Sequence, residues 1–193
     1  RRIHLVRQMH ALHRTYLLVL TQEEHRMSQL KLHNPGRVAL LATDVDGVLT
    51  DGGMYFGPHG QAMKRFDVKD GYGLKMLQRS GVPVAWITAD DSAITRARAE
   101  ALRIDVVRNG VAEKLEALIQ VARQLDCGMD AVVYMGDDLN DLPVCGKVGS
   151  FVAVADAVEQ VCRVADAVTS APGGYGAVRQ VCEAIIEHNR RSG

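Results

Sequence analysis

The chain carries no net charge: 23 Lys and Arg balance 23 Asp and Glu over 193 residues. That balance removes any whole-chain electrostatic case for nucleic acid or a membrane surface as partner. No apolar run is long enough to span a bilayer. The four cysteines, Cys127, Cys145, Cys162 and Cys182, form no CxxC pair and no finger spacing. They read as reduced thiols of a cytoplasmic protein, not as a disulfide framework. Acids are missing altogether from the first 22 residues.

That last absence exposes a division. Residues 1–37 hold seven Lys/Arg against two Glu, and the rest holds 16 against 21. Within the basic head, Leu5, Met9, Leu12, Tyr16 and Leu20 recur at helical spacing. A targeting segment, a partner-binding helix, the tail of an upstream domain and a plain leader all fit, and the leader is the simplest. Met27-Ser28-Gln29-Leu30 resembles a natural start, and His10 and His13 read as part of a solvated basic face. Asn34-Pro35-Gly36 breaks the chain. We therefore expect an extension over residues 1–36 and one domain over 37–193, whose length and 47% hydrophobic content suffice for a single core.

From Val38 onward, strand and helix signals alternate. Strands are expected over 38–43, 82–88, 105–108, 131–135, 150–154 and 167–169. Helices are expected over 71–80, from the Asp91/Ser92 cap to 102, and over 112–125, 157–164 and 177–188. Residues 52–66, with a central Gly57-Pro58-His59-Gly60 turn, read as a β-hairpin. Alternating β and α units imply an α/β fold: a doubly wound parallel sheet with helices on both faces.

The chemistry gathers at strand ends. The apolar run Leu40-Leu41-Ala42-Thr43 stops at Asp44 and Asp46, followed by Gly47. Carboxylates at i and i+2 share one side of a strand. Leaving the sheet at its carboxyl edge, they enter the crevice where open α/β sheets bind ligands. Two close acids repel unless a cation or a shared proton intervenes, so the pair calls for a divalent metal, acid/base work, or both. Thr88, the Lys114 helix start and Asp137/Asp141 end later segments in the same way. Singly each has a bland reading, as a cap, a solvated lysine or an acidic helix start; together, in order, they form a set. One carboxylate can attack phosphorus and a second can protonate the leaving oxygen, then activate water. Mg²⁺ suits Asp44, Asp137 and the Asp46 carbonyl. The Thr88 hydroxyl, the adjacent Ala89 amide and Lys114 would hold phosphoryl oxygens.

Asp44-Val45-Asp46-Gly47-Val48-Leu49-Thr50, Thr88, Lys114 and Gly136-Asp137-Asp138-Leu139-Asn140-Asp141 resemble the four motifs of the haloacid dehalogenase superfamily. The resemblance implies Asp44 as nucleophile, Asp46 as general acid/base and metal ligand, Thr88 and Lys114 at the phosphate, Asp137 at Mg²⁺, and Asp138 and Asp141 in support. Thr88 follows Asp44 by 44 residues and Lys114 follows Thr88 by 26. Each gap is nearly filled by a strand–helix unit, so no cap domain fits and only the hairpin is inserted.

Asp51-Gly52-Gly53-Met54-Tyr55, Lys64-Arg65-Phe66, Asp70-Gly71-Tyr72-Gly73 and Gly173-Gly174-Tyr175-Gly176 resemble the capless tetrameric group. That group holds the phosphatases of 3-deoxy-D-manno-octulosonate 8-phosphate and ketodeoxynonulosonate 9-phosphate, and it resembles the C-terminal domain of acylneuraminate cytidylyltransferases. It implies a homotetramer acting on an acidic sugar phosphate, with Lys64, Asp70, Asp90, Arg96 and Arg98 as candidate substrate residues. Ala89-Asp90 stands where octulosonate enzymes have Gly-Arg. On that departure we expect a preference for the nine-carbon sugar, with Arg96 or Arg98 offsetting the Asp90 charge. A signalling receiver domain is excluded because its acids come in a different order. A non-catalytic tetramerisation module is the alternative.

Overall fold

The computed structural model describes residues 30–192; the amphipathic pattern at residues 5–20 lies outside them. Six strands form one parallel sheet: β1 (Leu40–Thr43), β4 (Val84–Ile87), β5 (Val106–Arg108), β6 (Val132–Gly136), β7 (Ser150–Ala153) and β8 (Ala167–Val168). Their order across the sheet is β5-β4-β1-β6-β7-β8. Helices cover both faces, which is why strands such as Leu40–Thr43 and Val84–Ile87 are buried at every position and read as continuous apolar runs.

Alternation divides the core. Leu41, Trp86, Val133 and Met135 point to one face, against α1 (Val68–Arg79), α2 (Ala93–Leu102) and α5 (Ala177–Arg191). Leu40, Ala42, Ile87 and Tyr134 point to the other, against α3 (Lys114–Gln124) and α4 (Glu159–Val164). Hairpin strands β2 (Tyr55–Gly57) and β3 (Gly60–Met63) form a separate antiparallel pair. Among the described residues it is the only insertion, so the expected capless α/β architecture stands.

Several boundaries move. Helix α1 starts three residues before the expected Gly71, because Asp67 caps it by accepting from Lys69 N (2.6 Å). Helix α5 runs on past His188 to Arg191. The acidic stretch after β6 forms a 3₁₀ turn, Leu139–Val144. Residues 30–36, grouped with the extension on sequence, pack onto the body: Leu32 is buried, and Asn34 Nδ2 donates to the Asp130 (2.9 Å) and Val132 (3.1 Å) carbonyls.

Candidate functional site

The site lies at the carboxyl ends of three adjacent inner strands, β4, β1 and β6, where chain direction alone delivers three of the motifs. Asp44 follows β1, Thr88 follows β4 and Asp137 follows β6. The ladder continues one step past the strand, with Asp44 N donating to Met135 O (3.0 Å). This fixes the backbone from which the Asp44 carboxylate projects. Lys114 opens α3 and reaches in from the side. A cleft of about 160 Å³ is lined by Asp44, Asp46, Thr88, Ala89, Asp90, Asp137, Asp138 and Asn140.

Lys114 is fully buried and bridges two acids, donating from Nζ to Asp44 Oδ2 (2.6 Å) and Asp141 Oδ1 (2.7 Å). Burial pulls this ammonium down, but Asp44 and Asp141 together hold it above its ordinary value. Burial pushes the Asp44 carboxyl up to about 6, against the pull of Lys114. Asp137 is pushed further, to about 8, by burial and by the charges of Asp44 and Asp141.

Asp141 is saturated. Oδ1 accepts from Lys114 and from the Tyr134 hydroxyl (2.7 Å), and Oδ2 accepts from the amides of Asp137 (3.0 Å) and Asp138 (3.3 Å). It therefore orients its neighbours and has no lone pair spare for another ligand. Asp138 caps the 3₁₀ turn through Leu139 N.

The donor set fits a hard divalent cation. Carboxylate oxygens of Asp44, Asp137 and Asp141 lie within 4.8 Å of one another. The buried Oδ1 of Asp137 has no hydrogen-bond partner, an arrangement costly to leave uncompensated. All the donors are oxygens, as Mg²⁺ prefers. Since Asp141 is committed to Lys114, Tyr134 and two amides, Asp44 and Asp137 are the available carboxylates. The turn is shaped for this: Gly47 has φ +84°, and a Cβ there would overlap the Asp137 carboxylate. Behind it, Gly173 packs with no room for a Cβ against the Gly47 carbonyl, and Gly174 N donates to Val48 O (3.0 Å). The segment before α5 thus clamps the Asp46–Thr50 loop.

Two of the five candidate substrate residues enter the site. Lys64, just past β3, has a side chain only 2% exposed. Its Nζ donates to Asp46 Oδ2 (2.8 Å), Asp90 Oδ2 (2.8 Å) and Thr95 Oγ1 (3.2 Å). Burial works to raise Asp90, but its hydrogen bonds with Lys64 and Ser92 outweigh that and bring it to about 2. Within this chain the cation facing Asp90 is thus Lys64, while Arg96 and Arg98 turn elsewhere. Arg96 pairs with Asp91, and Arg98 donates to Asp67 O (3.3 Å) and lies over the Phe66 ring.

Asp70 is far from the cleft in role. It is buried and accepts from Gly176 N (3.2 Å) and Arg179 N (2.8 Å), capping the start of α5. Sequence reasoning assigned no role to Tyr134 or Asn140. For Tyr134 a signal existed: a hydroxyl-bearing ring in the otherwise aliphatic run Val132-Val133-Tyr134-Met135 needs a buried partner.

A parallel sheet whose inner strands end in a carboxylate cluster and a threonine, with a buried lysine reaching in from a helix start, suits the chemistry of a phosphoryl-handling hydrolase. Comparison with known proteins agrees. Residues 88–178 match the model of the haloacid dehalogenase-like hydrolases. The 3-deoxy-D-manno-octulosonate 8-phosphate phosphatase of Yersinia pestis is 41% identical over 155 residues, 80% of this chain and 83% of that one. Two solved structures, each 38% identical, superpose closely. The cobalt-bound octulosonate 8-phosphate phosphatase of Haemophilus influenzae has a TM-score of 0.78, covering 81% of this chain and 91% of that one. The Moraxella catarrhalis enzyme, in complex with magnesium, phosphate and a KDO molecule, has a TM-score of 0.77, covering 80% and 88%. The chain belongs to the haloacid dehalogenase-like hydrolases, in the group that includes these phosphatases.

Proposed function

We propose that the chain is a Mg²⁺-dependent phosphatase that releases inorganic phosphate from 3-deoxy-D-manno-octulosonate 8-phosphate through an aspartyl-phosphate on Asp44. The observation that carries this reading is the Asp44–Lys114–Asp141 bridge beside the orphaned Asp137 oxygen at the open end of the sheet.

In this reading an Asp44 oxygen attacks phosphorus while Asp46 gives a proton to the departing sugar oxygen, breaking the ester bond. Asp46 then takes a proton from water as that water attacks the phosphorus. The bond to Asp44 breaks, freeing phosphate. The Thr88 hydroxyl, the Ala89 amide and Lys114 stabilise the charge building on the other phosphoryl oxygens. Bound Mg²⁺, held by Asp44, Asp137 and the Asp46 carbonyl, would supply compensating charge in a cleft that is otherwise rich in carboxylates. Asp141 and Tyr134 fix Lys114 from behind.

The relatives' substrate supports the eight-carbon sugar. The nine-carbon expectation rested on Asp90 standing in place of an arginine, whereas the relatives are named for the eight-carbon substrate. The filled set of site residues speaks against a non-catalytic module. The hairpin exposes Met54, Phe56 and Met63, and nearby Val68 and Tyr72 are also exposed. A hairpin needs something to pack on, so we expect further copies of this chain to cover it in a homotetramer. No described helix is long and apolar enough to cross a membrane, in keeping with a cytoplasmic enzyme whose catalytic domain is residues 37–193.

The test is phosphate release from the two sugar phosphates by wild type and Asp44→Asn. Wild type should favour the eight-carbon substrate, and the variant, with an amide that cannot attack, should lose turnover by orders of magnitude. Release by the variant at near the wild-type rate would refute the nucleophile. A tenfold preference for the nine-carbon substrate would refute the specificity.

A further inference from the structure

Lys64 stands out because its ammonium has three donors and all three are spent. One goes to Asp46, one to Asp90 and one to Thr95. Its side chain is almost wholly buried, and a buried charge persists only when it is paired on this scale. The three acceptors come from different parts of the chain: the loop after β1, the turn after β4 and the first turn of α2.

The Asp90 and Thr95 side of this network is rigid. Asp90 Oδ2 also accepts from Ser92 N (3.0 Å) and the Thr95 hydroxyl (3.1 Å), and Asp90 N donates to Thr88 Oγ1 (3.0 Å). The Asp46 side is loose, for its side chain is 40% exposed and lines the cleft. Rigidity therefore passes from the α2 cap through Lys64 to Asp46.

We propose that Lys64 is a positioning residue for Asp46: it holds Oδ2 of that carboxylate and so aims Oδ1 at the leaving oxygen. The inference rests on the proposed role of Asp46 as proton donor. A reacting group held in one orientation gains over one that samples several. The hairpin, delivering Lys64 from its exit, thereby sets the geometry of proton transfer. A strut that merely anchored the hairpin would show in stability and in all substrates alike. A residue that aims a proton donor shows only where the leaving group needs the proton.

The experiment is single-turnover cleavage with enzyme in excess, comparing octulosonate 8-phosphate, whose alkoxide needs a proton, with p-nitrophenyl phosphate, whose phenolate does not. Proton transfer by a positioned group is worth roughly 10²–10⁴-fold. Misaiming it through Lys64→Met should slow sugar-phosphate cleavage by about 10- to 100-fold. Cleavage of the aryl ester should change by less than about threefold, since no proton is needed there. Lys64→Arg keeps the charge and the tie to the hairpin, but its planar donors diverge. It should show the same selective loss at smaller size, and it serves if the methionine variant does not fold. Equal losses on both esters, or none on the sugar phosphate, would overturn the proposal. If wild type cleaves the aryl ester but not octulosonate 8-phosphate, the substrate assignment fails alone. The comparison then stands with any primary alkyl phosphate that is hydrolysed.

Discussion

Mg²⁺ affinity should climb steeply with pH between 6 and 8, because the cation must displace the proton that Asp137 keeps when the metal is absent. Burial and the charges of Asp44 and Asp141 raise this carboxyl to about 8 from 3.8. With that value, the protonated fraction weakens apparent affinity by about 100-fold at pH 6, about 10-fold at pH 7 and about twofold at pH 8. Asp44, raised to about 6, adds roughly a further factor of two at pH 6. Calorimetric titration of the wild type with Mg²⁺ should therefore show a gain on the order of 50- to 100-fold from pH 6 to 8. Asp137→Asn should bind weakly and with a much flatter profile.

Thermal stability carries the same signature. Asp137 takes up a proton on folding between its unfolded value and about 8. The metal-free fold is therefore favoured at low pH and loses that contribution as pH rises through 8. A fixed Mg²⁺ concentration should raise Tm more at pH 8 than at pH 6, as ligand linkage requires. An affinity constant across this range would refute the argument that crowding among these carboxylates is what the metal relieves.

Other changes should separate site from scaffold. Gly47→Ala forces a side chain into a φ of +84° and against Asp137; urea denaturation should show a loss of ~1–2 kcal/mol, and Mg²⁺ affinity should fall with it. Tyr134→Phe strips a hydroxyl from the charged, buried Asp141. Its cost should be ~1.5–3 kcal/mol, with kcat reduced through Lys114 and KM nearly unchanged. Asp70→Ala leaves two amides at the start of α5 without their acceptor and should cost ~0.5–2 kcal/mol in urea. Its effect on kcat should be small if its work is confined to the cap.

Much of this was legible in the chain because each signal was local. The run Leu40–Thr43 ends in two acids, and a strand so buried must be central. Thr88 and Asp137 follow the same logic, and parallel order brings them beside Asp44, while Lys114 joins them from a helix start. Boundaries slipped where a cap decided them: Asp67 starts α1 at Val68, ahead of the Gly71 at which the helix was expected to begin. The partner of Asp90 was missed because Lys64 reaches it from a hairpin 26 residues earlier, and no periodicity reports such a contact. Asp70 entered the candidate set through the resemblance of Asp70-Gly71-Tyr72-Gly73, and its neighbour in space is a helix start more than 100 residues later.

The clamp that Gly173 and Gly174 place on the Asp46–Thr50 loop has a consequence for synthesis. A ribosome feeds the chain out from its amino end, so the strand bearing Asp44 emerges before β4 and β6. It must wait for β4 and β6 to gain bonded neighbours on both sides. Even then the turn carrying Asp46 lacks the backing that arrives only with the segment before α5. A nascent or truncated chain can hold every acid of the cluster and still leave that turn unbraced. Competence at this site is thereby deferred until Gly173 and Gly174 have emerged, and a fragment ending before them lacks that brace.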